Sequence, residues 1–171
     1  MENAAGLPVR RRLRLKRFPY QGPASYFVTI CANEQRCLFG WIEDGQFFPS
    51  WIGSLVEREW QVTPHMRRDV GIDSWQVMPN HFHGILHVLR GAHRYRSIVG
   101  GFKSAVTSTV RERLNDPSFE VWQRGSFDEV IRSEAHLEQV RRYIAENPAK
   151  WRDDPEYVED PLPIPEFSSA R

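Results

Sequence analysis

"VGIDSWQVMPNHFHGILHV", residues 70–88, holds two alternating runs separated by a Pro-Asn pair. The first, 70–78, sets Ile72, Ser74 and Gln76 against Asp73, Trp75 and Val77, and "FHGILHVL" (82–89) follows after the break. Successive side chains of a strand point to opposite faces, so this pattern predicts two strands, and the short polar break predicts that they pair antiparallel. The same rule puts His81, His83 and His87 on one face of the second strand, with Ile85 between them. Two imidazoles two residues apart on one face can share a metal ion; they can equally be hydrogen-bonded strand histidines, and the H-x-H spacing alone does not separate these readings.

Outward from that hairpin, "SYFVTICA" (25–32) is β-branched and aromatic and predicts a buried strand. Asp44-Gly45, set between "WI" and "QFF", predicts a tight hairpin. Ile52, Leu55, Val56 and Trp60 have helical spacing, and Pro64 is expected to end that helix. A second helix is expected over 97–115, with Ile98, Phe102, Val106, Val110 and Leu114 on one side. A strand-like run at 120–131 is interrupted at Gly125, and a last helix starts at the N-cap candidate Ser133 and stops before Pro148. Strands grouped between single helices predict an α+β domain on an antiparallel sheet.

The 171-residue chain is long enough for one domain with a proper core. Its net charge of +1 conceals a segregation. Residues 1–20 carry Arg10, Arg11, Arg12, Arg14, Lys16 and Arg17 against Glu2, whereas 152–171 is acidic and Pro-rich. The organisation read from this is a basic arm (1–20), a domain (21–151) and an acidic, Pro-rich tail, extended or disordered (152–171). A clustered basic arm is either a solvated tail or a contact for a polyanion, since Lys and Arg displace counterions from phosphate backbones. No apolar run approaches the ~18 residues of a membrane-spanning helix. No apolar segment follows the N-terminal charges, so a cytoplasmic location is expected. Cys31 and Cys37 lack a C-x-x-C pattern and are expected to be reduced.

On the last helix Leu137, Val140 and Ile144 define the buried stripe, and Tyr143 and Asn147, four residues apart, share its edge. By residue type alone Tyr143 is a packing residue or a nucleophile.

Four segments in this order, "YFVTICANEQRCLFG" (26–40), "MPNHFHGILHV" (78–88), "WQRGSFDEVIR" (122–132) and "RRYIAENPAKW" (141–151), resemble the REP-associated tyrosine transposases, a branch of the single-tyrosine HUH nucleases. The resemblance runs from about Arg11 to Trp151. It implies a ferredoxin-like antiparallel sheet with helices on one face and the tyrosine on a helix near the H-x-H strand. It implies that Tyr143 is the nucleophile and that His81, His83 and Asn147 hold a divalent ion, Mg²⁺ or Mn²⁺, which would neutralise the scissile phosphate. The implied substrate is single-stranded DNA carrying a hairpin, a repetitive extragenic palindrome, cleaved and rejoined through a 5′-phosphotyrosine. The arm residues 10–17 and Lys103 would contact the DNA backbone, and the protein would act as a monomer or homodimer without a membrane. The alternative is a hairpin-binding protein that has kept the fold and lost turnover.

Other residues carry milder expectations. His87 lies roughly 13 Å along the strand from His83 and reads as a packing residue or a DNA contact. Asn80 is expected to shape the turn or orient a ligand. Arg141 and Arg142 could meet phosphates, and Trp122, Phe127 or Tyr26 could stack on bases or fill the core. "SFDE" (126–129) departs from relatives by placing Ser126 and Glu129 where an aromatic residue and a histidine are common.

Overall fold

The computed structural model describes residues 24–89, 95–159 and 163–166. The basic arm, with Arg10, Arg11, Arg12, Arg14, Lys16 and Arg17, lies outside the described residues. In chain order the elements are β1 (Ala24–Cys31), β2 (Gly40–Glu43), β3 (Gln46–Pro49), α1 (Trp51–Met66), β4 (Val70–Val77), β5 (His81–Val88), α2 (Tyr95–Leu114), β6 (Phe127–Ile131) and α3 (Glu134–Glu146). The main sheet has the order β4-β5-β1-β6, every neighbouring pair antiparallel, and β2 and β3 form a separate hairpin. Set aside that hairpin and α3, and the remaining β-α-β-β-α-β order with its split β1-α1-β4 unit is the ferredoxin-like arrangement. The α+β reading thus holds.

One face of the sheet, carrying Tyr26, Val28, Ile30, Phe82 and Leu86, packs on Ile52, Val56 and Trp60 of α1 and on Phe102 and Val106 of α2. Gly84 permits that packing: a Cβ there would come within 2.8 Å of the Phe82 and Trp60 rings. Trp122 joins this core at 8% exposure and Tyr26 is fully buried. The second face carries Phe27, Ile85 and Ile131, and α3 lies on it through Leu137, Val140 and Ile144. The expectation of helices on one face is therefore corrected: α1 and α2 share a face, while the stripe of α3 needs apolar partners that only the other face still offers.

Two local expectations also change. α1 runs through Pro64 to Met66, because proline near the last turn removes a single backbone donor and leaves the preceding bonds in place. Ser50 caps its start, accepting from the Gly53 amide at 3.0 Å and donating to the Leu38 carbonyl at 2.7 Å. In β4 the register slips between Ile72 and Trp75. The bulge moves Trp75 to the face that Ile72 occupies, both packing on the main core, which strict alternation forbids. At 44–45 Asp44 and Gly45 both have positive φ, 50° and 74°, as the expected hairpin turn requires.

After α3 the chain makes a 3₁₀ turn, Pro148–Asp153, that buries Trp151. Asp154 keeps its side chain 4% exposed, and Trp51 Nε1 donates to the Pro165 carbonyl at 2.9 Å. Residues read from the sequence as extended tail thus pack on the domain.

Candidate functional site

His81 and His83 project from β5 toward the α3 face and are 0% and 1% exposed. Their ring centroids lie 4.5 Å apart. Each Nδ1 is engaged: His81 with Asn80 Oδ1 at 2.9 Å, His83 with Thr29 Oγ1 at 2.9 Å. The Asn80 amide is itself oriented, its Nδ2 donating to the carbonyls of Gln35 at 3.2 Å and Glu156 at 2.7 Å. Its oxygen is thereby turned to His81, so Nδ1 of His81 donates and Nε2 holds the lone pair that a metal needs.

Asp154 completes a cluster: ligand atoms of His81, His83 and Asp154 all lie within 4.8 Å of one another, with His81 Nε2 3.9 Å from Asp154 Oδ2. Two imidazole nitrogens and one carboxylate oxygen on buried side chains form a donor set that fits a divalent ion and leaves positions open for other ligands. Asp154 was not legible in the sequence. It sits in an acidic run, and only the 3₁₀ turn at 148–153 returns it to the histidines.

Tyr143 on α3 is half-buried, its ring 5.3 Å from that of His83 and 5.8 Å from that of Phe27, both edge-on. Asn147 is the C-cap of the same helix, one turn beyond Tyr143, and 4% exposed. Trp151 closes the cluster from the side, 6.0 Å from the His81 ring. His81, His83 and Tyr143 are thus brought together, with Asn147 buried on the helix that carries the tyrosine. Lys103 is not among them. It belongs to α2 on the opposite face, where Nζ donates at 2.7 Å to the carbonyls of Gln123 and Gly125, and burial lowers its pKa.

His87 is held apart from the cluster. Its Nδ1 pairs with Ser25 Oγ at 2.7 Å and its Nε2 lies 3.4 Å from Asp73 Oδ2. Arg141, read from the sequence as one that could meet phosphates, grips Asp73 through Nε at 3.1 Å and Nη2 at 2.6 Å, and also pairs with Glu138. That guanidinium, aided by the Ser74 amide and His87, holds the Asp73 carboxyl far below the usual carboxylate range despite partial burial. His136 lies 3.4 Å from Glu129.

No family model matches the chain. It is 34% identical to an uncharacterized protein of Haemophilus influenzae over 91% of this chain and 97% of that protein. Among solved structures it is similar to a REP-associated tyrosine transposase bound to a REP hairpin, with a TM-score of 0.60, 19% identity, and coverage of 84% of this chain and 74% of that one. It is also similar to a Deinococcus radiodurans protein proposed to be a transposase, with a TM-score of 0.50, 14% identity, and coverage of 75% of this chain and 93% of that one. At these identities the structures establish a shared fold.

Proposed function

Because the chain belongs to the family of the Haemophilus influenzae protein and has the fold of a REP-associated tyrosine transposase, we propose that it is a metal-dependent transposase and nuclease acting on single-stranded DNA that carries a hairpin. The observation that carries the reading is the Tyr143 ring 5.3 Å from His83, at the edge of a buried cluster built from two histidines and a carboxylate. Tyr143 is the nucleophile; His81 and His83 are metal ligands, with Asp154 and Asn147 supplying oxygen donors. Mn²⁺ suits two imidazole nitrogens better than Mg²⁺, which prefers oxygen throughout. When bound, the ion neutralises the scissile phosphate and polarises its oxygen.

The remaining work falls to the protein. Asn80 and Thr29 fix the imidazole rings, and α3 presents the phenol to the cluster. The Tyr143 oxygen forms a bond to phosphorus as the bond from phosphorus to the leaving 3′-oxygen breaks; the phenolic proton passes to water, and the leaving oxygen takes a proton from water. The products are a 5′-phosphotyrosine and a free 3′-hydroxyl. Attack by another strand's 3′-hydroxyl reverses the step and joins the strands without ATP.

Incubation with labelled single-stranded hairpin oligonucleotides and Mn²⁺ is expected to give a denaturation-resistant adduct that vanishes in Tyr143→Phe. Measurable hairpin binding with no adduct from the wild type would favour a non-catalytic hairpin-binding protein instead.

A further inference from the structure

Exposed aromatic rings among the described residues gather in one place. Trp41 (50% exposed), Phe48 (39%) and Tyr157 (37%) are the exposed large aromatics, whereas the rings suggested by sequence, Tyr26 and Trp122, are in the core. Trp41 stacks on Phe48 across the β2–β3 hairpin, centroids 5.8 Å apart and planes 14° from parallel. Phe48 therefore backs Trp41 and fixes its plane. The hairpin tip approaches the turn after α3: a Cβ on Gly45 would lie 3.5 Å from Ala149 Cα. Between hairpin and turn is a cavity of about 440 Å³ lined by Trp41, Ile42, Trp151 and Tyr157, with Asp44, Arg152 and Glu159 also in its wall. Tyr157 meets Trp151 edge-on at 5.4 Å, and Trp151 lies 6.0 Å from His81. One indole thus forms a wall of both this cavity and the histidine cluster.

We infer that this cavity is a nucleobase pocket, which takes an unpaired base next to the scissile phosphate while the phosphate itself stays at the histidines. The inference rests on the reading of the Tyr143 site as a single-strand nuclease. Rigid exposed aromatic faces cost solvation unless a flat partner covers them, and bases of single-stranded DNA stack on such faces whatever their sequence. The wall charges point the same way. Two carboxylates, Asp44 and Glu159, against one guanidinium, Arg152, repel a phosphate. They accept hydrogen bonds from exocyclic amino groups, as carboxylates do from cytosine N4. The pocket therefore favours cytosine and adenine over thymine, which has no amino group.

The test measures binding of oligo-dC, oligo-dA, oligo-dT and wholly abasic dodecamers to the full chain, in metal-free buffer at fixed salt. Trp41→Ala is expected to weaken oligo-dC binding about tenfold and to leave abasic binding unchanged, while Trp41→Phe keeps most of the affinity. Asp44→Asn with Glu159→Gln should narrow the preference of oligo-dC over oligo-dT. Equal oligo-dC affinity in wild type and Trp41→Ala overturns the pocket, as does an equal loss for abasic DNA. A change of oligomeric state in Trp41→Ala by sedimentation, with DNA affinity intact, would make the ledge a protein contact and likewise overturn it. The adduct assay with Tyr143 is scored separately, so a protein that forms adduct but ignores Trp41→Ala refutes the pocket alone. One that binds no DNA refutes both.

Discussion

Asn80 is 1% exposed and directs three polar contacts, two as a donor to backbone carbonyls and one as an acceptor from His81. Removing it frees the His81 ring without touching a donor atom of the cluster. Asn80→Ala is therefore expected to weaken Mn²⁺ binding about 10–100-fold, the usual effect of losing a group that orients a ligand, measured by calorimetric titration of the metal-free protein. Asp154→Ala should weaken it at least as much, because it removes the carboxylate charge; unchanged affinity in Asp154→Ala would take that residue out of the metal site. Burial also raises the Cys37 thiol to about 11. Cys37 should resist alkylation at pH 8 in the folded protein and react once it is unfolded, since the thiolate is the reactive form. At this scale the sequence shows the pair His81 and His83 through strand alternation. It shows nothing of Asp154, whose place depends on where a turn of the chain ends.

At the scale of elements, the β4 bulge and Arg141 act together. The slipped register leaves Asp73 facing α3, where Arg141 holds it with a bidentate pair. Arg141 precedes Tyr143 by two residues, so this pair fastens the helix that carries the phenol to the sheet that carries the histidines. Asp73→Asn should lower stability by on the order of 1 kcal/mol at neutral pH, read from the melting temperature. The sign of the pH dependence follows from the depressed pKa of Asp73. Its contribution is complete above the unfolded value of about 4 and declines as pH falls below it toward the folded value. The gap in melting temperature between wild type and Asp73→Asn should therefore narrow between pH 5 and pH 2; a gap independent of pH would detach the effect from the carboxylate charge. Alternation predicted β4 itself but not its bulge, because an extra residue alters parity without altering composition. The stripe of α3 was legible, yet which sheet face it would cover was not: that is decided by which face α1 and α2 have already filled.

Across the whole molecule the sheet separates two jobs. The α1 and α2 face builds the large core, while the α3 face holds the cluster and the tyrosine. With a net charge of +1, the DNA binding proposed above would have to draw on local concentrations of charge such as residues 10–17. Deleting residues 1–17 is expected to weaken hairpin binding and reduce the slope of log affinity against log salt; an unchanged slope would show that the arm does not neutralise phosphates.

The hydrogen bond from Asn80 to the carbonyl of Glu156, together with the approach of Asp154 to His81, gives the domain a timetable. Among the described residues every β-strand and α-helix is encoded before residue 147. A ribosome adding about 5–20 residues each second therefore finishes the scaffold before it delivers the groups that orient and complete the cluster. A chain that stops short of residue 154 would carry every one of those strands and α-helices, and Tyr143, and still lack the carboxylate of the cluster. If the cluster serves the proposed nuclease, chain order alone disfavours strand cutting by an unfinished protein.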